Sequence, residues 1–329
     1  MGHLELARWA QVLVVAPASA GAIARLALGT TDDLLAATAL ACTAPVVLAP
    51  AMESAMFRHP ATQLHLETMR SRGAAFAGPV DGRLASGAIG PGRMAEPAEI
   101  VAAIENVLMP KRDLTGKRVL VTAGPTYESI DPVRFLGNRS SGKMGFALAG
   151  EATRRGADVM LIAGPTSLSA PPGVRLERIE SAAEMRAAVL DRVAGQDVVV
   201  MAAAVADFRP SEARSEKLKR GDGLVLHLVP TADIAAEAAA LEPGALHVGF
   251  ALETGNLVAA AREKMVRKKQ DLVVANAISA EHNPFDSDSN RVTLVTGDSV
   301  QELPLLAKQE VAARIWDTVA LLLLDRAAT

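Results

Sequence analysis

Short apolar runs alternate with helix-length stretches along this chain, and the alternation is written out twice. In residues 1–110, Val12–Ala16 and Val46–Ala49 are continuous apolar runs closed by turn residues, the mark of strands buried on both faces, and a third short run falls near Ala74–Ala77. Between and after them the spacing predicts helices over Ala20–Leu28, Asp33–Ala41, Ala61–Arg72 and Pro97–Val107. Gly82–Met94 is glycine-rich and is read as irregular. Met109–Gly116 is a short polar connection, and the domain boundary is placed there, with domains at 1–110 and 114–329. Beyond it strands are expected at Arg118–Ala123, Asp158–Ala163, Val198–Ala203, His247–Ala251, Leu272–Ala275 and Val292–Val295. Helices are expected at Met144–Arg155, Ala182–Val193, Asp233–Leu241, Leu257–Lys268 and Leu305–Leu323. Such alternation predicts an α/β protein of two doubly wound domains.

One connection is far too long for its place. Ordinary βα loops run about 2–6 residues, whereas the polar loop from Gly124 to Lys143 joins the strand at Ala123 to the next helix. It is dense in anion-binding groups: Thr126, Arg134, Asn138, Arg139, Ser140, Ser141, Gly142 and Lys143. A glycine-bearing loop feeding a helix N-terminus suits a phosphate or a carboxylate. Gly137–Lys143 has the G-x4-G-K spacing of a nucleotide P-loop, but Met144 stands where that motif needs Ser or Thr, and the strand has already ended. No GxGxxG follows a strand and no GxSxG elbow is present, which argues against a nicotinamide dehydrogenase and a serine hydrolase. Met201–Asp207 places small residues at a second strand end, where a flat group can approach the backbone; Asp207 can accept from a ribose or a base amine, or cap a turn. The charged segment Arg209–Gly223 reads either as a solvated loop or as a mobile flap bringing Lys217, Lys219 and Arg220 over a phosphate. Lys264 and Lys268, at i,i+4, are further point charges for phosphate or a solvated helix face.

Composition narrows the class. A net charge of −3 and 3% aromatic residues argue against a nucleic-acid binder. The one cysteine, Cys42, excludes an internal disulfide framework and suits a reducing cytoplasm. The six histidines show no metal-ligand spacing, and the apolar runs near 11–16 and 318–324 are too short to cross a bilayer. The opening helix-like segment leads straight into Gln11–Ala16, as though an α/β domain had been entered partway through.

Taken together, AGPTxExxDPVRxxxNxSSGKMG, AAVADF, EKLKR, GFALET and the late RKK-QDL resemble the CTP-dependent phosphopantothenate–cysteine ligases over 114–329. The front half, with HLELARWAQ, PASA, DDLL, PAM and GPGRM, resembles the flavin-dependent phosphopantothenoylcysteine decarboxylases. The two are fused in this order in bacterial bifunctional enzymes of coenzyme A synthesis. The resemblance implies a flavodoxin-like HFCD flavoprotein domain, incomplete here, followed by a Rossmann-like ligase domain with a mobile flap. In that family CTP activates phosphopantothenate as an acyl-cytidylate and cysteine displaces CMP, with Mg2+ held mainly by the CTP phosphates.

By the same resemblance Asn138 holds the acyl-cytidylate and Lys217 is the flap lysine. Met201, Ala202, Ala203, Asp207, Ala232, Asp233, Ile234, Ala235, Phe250, Lys264 and Lys268 contact CTP. The usual NPDI reads Thr231-Ala-Asp-Ile234, and the flap KxKK reads Lys217-Leu-Lys-Arg220, which keeps the charge. In the front half His3 falls at the catalytic histidine, preceded by only two residues, and Ser19 falls at an FMN position. Glu53 replaces the asparagine that binds the substrate carboxylate, and Ser86 replaces the proton-donating cysteine. Those departures imply a damaged or truncated decarboxylase, or a front domain that serves only as an oligomerisation module on a ligase. The implied partners are small molecules (4'-phosphopantothenate, cysteine and CTP), with no nucleic acid and no membrane. The implied assembly is a homo-oligomer, a ligase dimer within a dodecamer, in the cytoplasm.

Overall fold

Val119, Val121 and Ala123 point to one side of their strand and Leu120 to the other, and the two sets enter different cores. In the computed structural model, which describes residues 2–109, 111–219, 224–253, 257–277 and 287–327, that strand lies inside an eight-stranded sheet. The order across the sheet is Arg175–Arg178, Asp158–Ala163, Arg118–Ala123, Val198–Met201, Leu246–Glu253, Leu272–Ala277, Val292–Thr296 and Val300–Glu302. The first six pair in parallel, and the last two are added by antiparallel pairings, so that Val292–Thr296 alone runs against the rest. Counted along the chain, the parallel strands follow the 3-2-1-4-5-6 order of dinucleotide-binding sheets.

Helices cover both faces because every central strand is apolar on both sides. Phe146, Leu148 and Ala149 of Lys143–Arg154 pack with Ile315 and Trp316 of Lys308–Ala327 against Val119, Val121, Val198 and Val248. The Trp316 indole N–H, buried there, donates to the Leu148 carbonyl at 3.0 Å. On the opposite face Met185 and Val189 of Ala182–Arg192 and Ile234 and Ala238 of Ile234–Leu241 meet Leu120, Ile162 and Val199. Gly145 lets its helix lie close on the first strand, since a Cβ there would sit 2.5 Å from that of Ala123. Strand order reverses between Arg118–Ala123 and Val198–Met201, and just past their carboxyl ends the Ala204 N–H donates to the Gly124 carbonyl at 2.8 Å. Ligands of such sheets sit at this reversal.

Contacts divide the chain into units at Met1–Lys111 and Arg112–Thr329. The first unit carries a parallel three-stranded sheet, Leu13–Ala18, Val46–Pro50 and Ala75–Phe76. Helix entry follows local chemistry: the Ser19 hydroxyl accepts from the Ala22 N–H, and an Asp33 carboxylate oxygen accepts from the Ala36 N–H at 2.7 Å.

The expectation that Gly82–Met94 is irregular is wrong. Val80–Arg83 and Ile89–Arg93 form an antiparallel hairpin. Its ladder uses backbone groups, which glycine supplies as well as any residue, and Gly87 turns the chain at φ 87°. The long loop after Ala123 also holds a hairpin, Tyr127–Ser129 with Phe135–Gly137, where the Tyr127 and Phe135 rings stack at 3.8 Å. Among the described residues no helix is long and apolar enough to cross a membrane.

Candidate functional site

A cleft of about 780 Å³ opens at the strand-order reversal of the second unit. Two buried threonines behind its lining hold one wall: Thr122 Oγ1 accepts from the Ala203 N–H at 3.2 Å, and Thr126 Oγ1 from the Ala206 N–H at 3.0 Å. They tie the Met201–Asp207 segment to the first strand end. Across it Asn138 Nδ2 donates to the Val205 carbonyl at 2.8 Å, which fixes the Asn138 amide at the cleft wall. Gly142, in the left-handed conformation at φ 76°, opens the helix beginning at Lys143 without a side-chain cap, and Gly142–Gly145 line the cleft.

The lining carries six cations, Arg139, Lys143, Lys264, Arg267, Lys268 and Lys308, against two carboxylates, Asp207 and Asp233. That imbalance favours a ligand with several negative charges. Asp233 caps the helix from Ile234 by accepting from the Ala236 N–H at 3.2 Å, and it pairs with Lys268 Nζ at 2.9 Å. Burial opposes its ionisation, but the Lys268 and Ala236 bonds win and hold its pKa below the usual carboxylate value. Lys264 Nζ donates to the Phe250 carbonyl at 2.5 Å.

Of the ligase residues named from the sequence, Asn138, Met201, Ala202, Ala203, Asp207, Ala232, Asp233, Ile234, Ala235, Phe250, Lys264 and Lys268 all line this cleft. Lys217 does not: it is exposed and absent from the lining, as is Lys219, and Arg220 lies outside the described residues. Leu218, between the two lysines, is latched to the hairpin that carries Asn138. Its N–H donates to Asp131 Oδ2 at 3.1 Å and its carbonyl accepts from the Arg134 guanidinium at 3.1 Å. Asp131 also accepts from the N–H groups of Val133 and Arg134, both at 2.8 Å, and from the Arg134 guanidinium at 2.6 Å.

Burial of the Asp131 carboxylate raises its pKa, but those bonds outweigh it and lower the value to about 2. A carboxyl whose folded pKa is depressed stabilises the fold above its unfolded pKa of about 3.9 and loses that contribution as pH falls through the folded value. The stability difference between the parent and Asp131→Asn, measured by urea unfolding, is therefore expected to be constant above about pH 5 and to shrink between about pH 4 and 2. A difference that does not change with pH would show that the latch does not depend on the charge.

In the first unit Ser19 caps the helix at the end of the first strand. His3 lies on the helix Gly2–Trp9 beside a shallow concavity lined also by Thr31, Asp32 and Asp33; Ser19, Glu53 and Ser86 do not line it. Glu53 accepts from the Ser54 N–H at 3.1 Å, and Ser86 is exposed in the hairpin turn. Among the described residues no three His, Cys, Asp or Glu side chains gather as a metal site. Arg267 and Gln270, part of the RKK-QDL motif but given no role from the sequence, also line the cleft, as do Asn276, Asn290 and Lys308, which the sequence did not single out. Asn276 carried a signal, as a polar residue interrupting the apolar strand LVVANA.

A cation-lined crevice at the reversal of a doubly wound sheet defines a class of nucleotide- and phosphate-binding proteins. Comparison with known proteins narrows it. Residues 114–322 match the DNA/pantothenate metabolism flavoprotein C-terminal domain family, and residues 1–109 match the flavoprotein family. The chain is 46% identical over 319 residues to the coenzyme A biosynthesis bifunctional protein CoaBC of Vibrio cholerae, covering 96% of this chain and 80% of the relative. It is 44% identical over 324 residues to the CoaBC protein of Escherichia coli, covering 97% and 80%. A crystal structure of a CoaBC C-terminal domain is similar at a TM-score of 0.57 and 40% identity, covering 65% of this chain and all of that one. The chain belongs to the family of bifunctional CoaBC proteins of coenzyme A biosynthesis. The flavoprotein match across 1–109 gives no support to the reading of a truncated front domain.

Proposed function

We propose that the second unit joins 4'-phosphopantothenate to L-cysteine at the expense of CTP. The observation that carries this reading is the cation-rich cleft at the strand-order reversal, with the Asn138 amide pinned beside Met201–Asp207. The amine of cysteine cannot expel oxide from a carboxylate, so the acid is activated first. Its carboxylate oxygen attacks the α-phosphorus of CTP, the bond to the β-phosphate oxygen breaks, and pyrophosphate leaves. The amine then attacks the acyl carbon, loses a proton, and CMP departs with the electrons of the acyl–oxygen bond. Lys264, Lys268 and the helix N-terminus at Lys143 neutralise phosphate charge, and Mg2+ enters with the nucleotide phosphates. Asp207 accepts from the nucleoside, and Asn138 donates towards the oxygen on which charge develops.

For the front unit we propose FMN as the cofactor. The helix Ala20–Leu28 starts at a strand's carboxyl end, has no acidic residue in its first turn and is capped by Ser19, which suits a phosphate. Bound FMN supplies reversible electron acceptance for decarboxylation. Glu53 puts a carboxylate where the substrate's own carboxylate belongs, and the Ser86 hydroxyl is a weaker acid than a thiol.

The test is mass spectrometry of products from the full chain with phosphopantothenate, cysteine, CTP, magnesium and FMN. Phosphopantothenoylcysteine is expected, with CMP and pyrophosphate formed in equal amounts and little phosphopantetheine. Formation of CDP and orthophosphate in place of CMP and pyrophosphate would overturn the acyl-cytidylate route. Conversion to phosphopantetheine at the pace of ligation would overturn the impaired decarboxylase.

A further inference from the structure

Asp131 is a carboxylate that the proposed chemistry does not use. Its side chain is 0% exposed, and it lies outside the lining of the cleft. A buried charge persists only where its partners make up for the lost water. The two oxygens of Asp131 divide those partners. Oδ1 accepts from the Val133 and Arg134 N–H groups, both at 2.8 Å, and closes its own turn. Oδ2 reaches out of the turn, accepting from the Leu218 N–H at 3.1 Å and from the Arg134 guanidinium at 2.6 Å. The same guanidinium nitrogen donates to the Leu218 carbonyl at 3.1 Å. Both backbone groups of Leu218 are thus held by one ion pair, and nearby the Arg214 N–H donates to the Ile130 carbonyl at 2.9 Å.

The turn is itself fixed to the body of the unit. It joins Tyr127–Ser129 to Phe135–Gly137. The Tyr127 N–H donates to the Glu180 carbonyl, and the buried Glu128 carboxylate accepts from the Ala182 N–H, both at 2.8 Å. Asn138 follows this hairpin directly and lines the cleft. On the other side of the latch, residues 211–217 are all exposed and Leu218 is half-buried between Lys217 and Lys219. A segment that buries so little opens easily, so the few bonds at Leu218 decide where its lysines stand.

We infer that Asp131 is a positioning residue for ligation: by pinning Leu218 to the hairpin that leads into Asn138, it holds the backbone at Lys217 in one place relative to Asn138. Nucleotide binding then does not have to order the segment first. This rests on the ligase reading, in which Lys217 serves the nucleotide phosphates. The latch fixes only backbone, and the flexible four-carbon stem of Lys217 keeps its reach towards a phosphate.

Asp131→Asn cuts the latch and spares the turn. The amide oxygen can still accept from Val133 and Arg134, but its NH2 would face the Leu218 N–H and the guanidinium, two donors. In the full chain kcat/KM for CTP is expected to fall about tenfold, the worth of one hydrogen bond to a charged group, with KM for cysteine within about twofold of the parent. Lys217→Ala should lose at least as much. Adding Asp131→Asn to Lys217→Ala should then cost less than about twofold, because a residue that acts through another has nothing left to position. A carboxylate that served only the fold would give additive losses. Limited trypsin digestion reads the latch without turnover: cleavage after Lys217 and Lys219 should be about tenfold faster in Asp131→Asn than in the parent. Where Asp131→Asn does not fold, Leu218→Pro, which removes the latched N–H, takes its place in the cycle, and digestion is read at Lys219. Equal digestion, additive losses, or a Lys217→Ala protein with the parent's kcat/KM would each overturn the inference. Parent protein that forms no ligated product would sink the ligase reading itself, while the latch would stand or fall by the digestion.

Discussion

An Arg155→Ala protein is expected to be less stable than its parent by about 3–5 kcal/mol, the usual consequence of removing one partner from a buried ionic network. Arg155 is 1% exposed and spends its guanidinium on four acceptors. Nε donates to Glu151 at 2.8 Å, one terminal nitrogen to Asp113 at 3.1 Å, and the other to Asp317 at 2.7 Å and the Ala313 carbonyl at 2.9 Å. It therefore ties the end of the helix Lys143–Arg154 to the helix Lys308–Ala327 and to the chain entering the first strand. Burial alone would lower its pKa, but the bonds to Glu151 and Asp317 raise it further, so the charge stays.

Deleting the side chain leaves Glu151, 12% exposed in its side chain, with only the more exposed Arg154 as counter-charge, and takes the guanidinium from Asp113 and Asp317 as well. Arg155→Lys should fall between the two, since an ammonium cannot reproduce the planar fork. Urea unfolding of the full chain measures both. A loss below about 1 kcal/mol for the alanine variant, the range of exposed pairs, would mean that water replaces the guanidinium and the network is worth little.

The alternation of strands and helices was legible because parallel strands covered on both faces must be written as unbroken apolar runs. Arg118–Ala123 and Asp158–Ala163 occupy the expected residues, and Asp33 and Asp233 stand as caps just ahead of their helices. The strand expected to reach Ala203 stops at Met201, where the chain turns to pair Ala204 with Pro125 at the crevice. The hairpin at 80–93 was not legible, because glycine-rich ladders leave no side-chain pattern. Nor was the Asp131 latch: nothing along the chain shows that a carboxylate in one loop meets the backbone of Leu218, 87 residues later.

In the cleft, motif residues from Asn138 to Lys268 converge, yet Lys217, chosen by the same motif, stands outside the lining. Asn276 and Asn290 become neighbours only through the register that pairs Asn276 with Val292, which a single sequence does not contain.

The largest loss of turnover is expected at Asn138. Asn138→Ala should lower kcat for ligation about 10²–10³-fold, the cost of removing one donor aimed at developing oxyanion charge in acyl transfer. The amide is held by its bond to the Val205 carbonyl at 2.8 Å, so its orientation is set before substrate arrives and no reorganisation is spent in the reaction. Asn138→Asp should be at least as damaging, because a carboxylate would face both the Val205 carbonyl and the negative charge of the intermediate.

The loss should fall on one half-reaction. In the proposed route, formation of the acyl-cytidylate depends on the cations and the nucleotide contacts, so pyrophosphate release should stay close to the parent rate in a single turnover. Attack by cysteine, which builds charge on the acyl oxygen, should slow, and the acyl-cytidylate should accumulate. Rapid-quench measurement of pyrophosphate and phosphopantothenoylcysteine separates the two steps. If both slow in parallel, Asn138 serves activation or folding; if neither slows, the residue has no part in the chemistry.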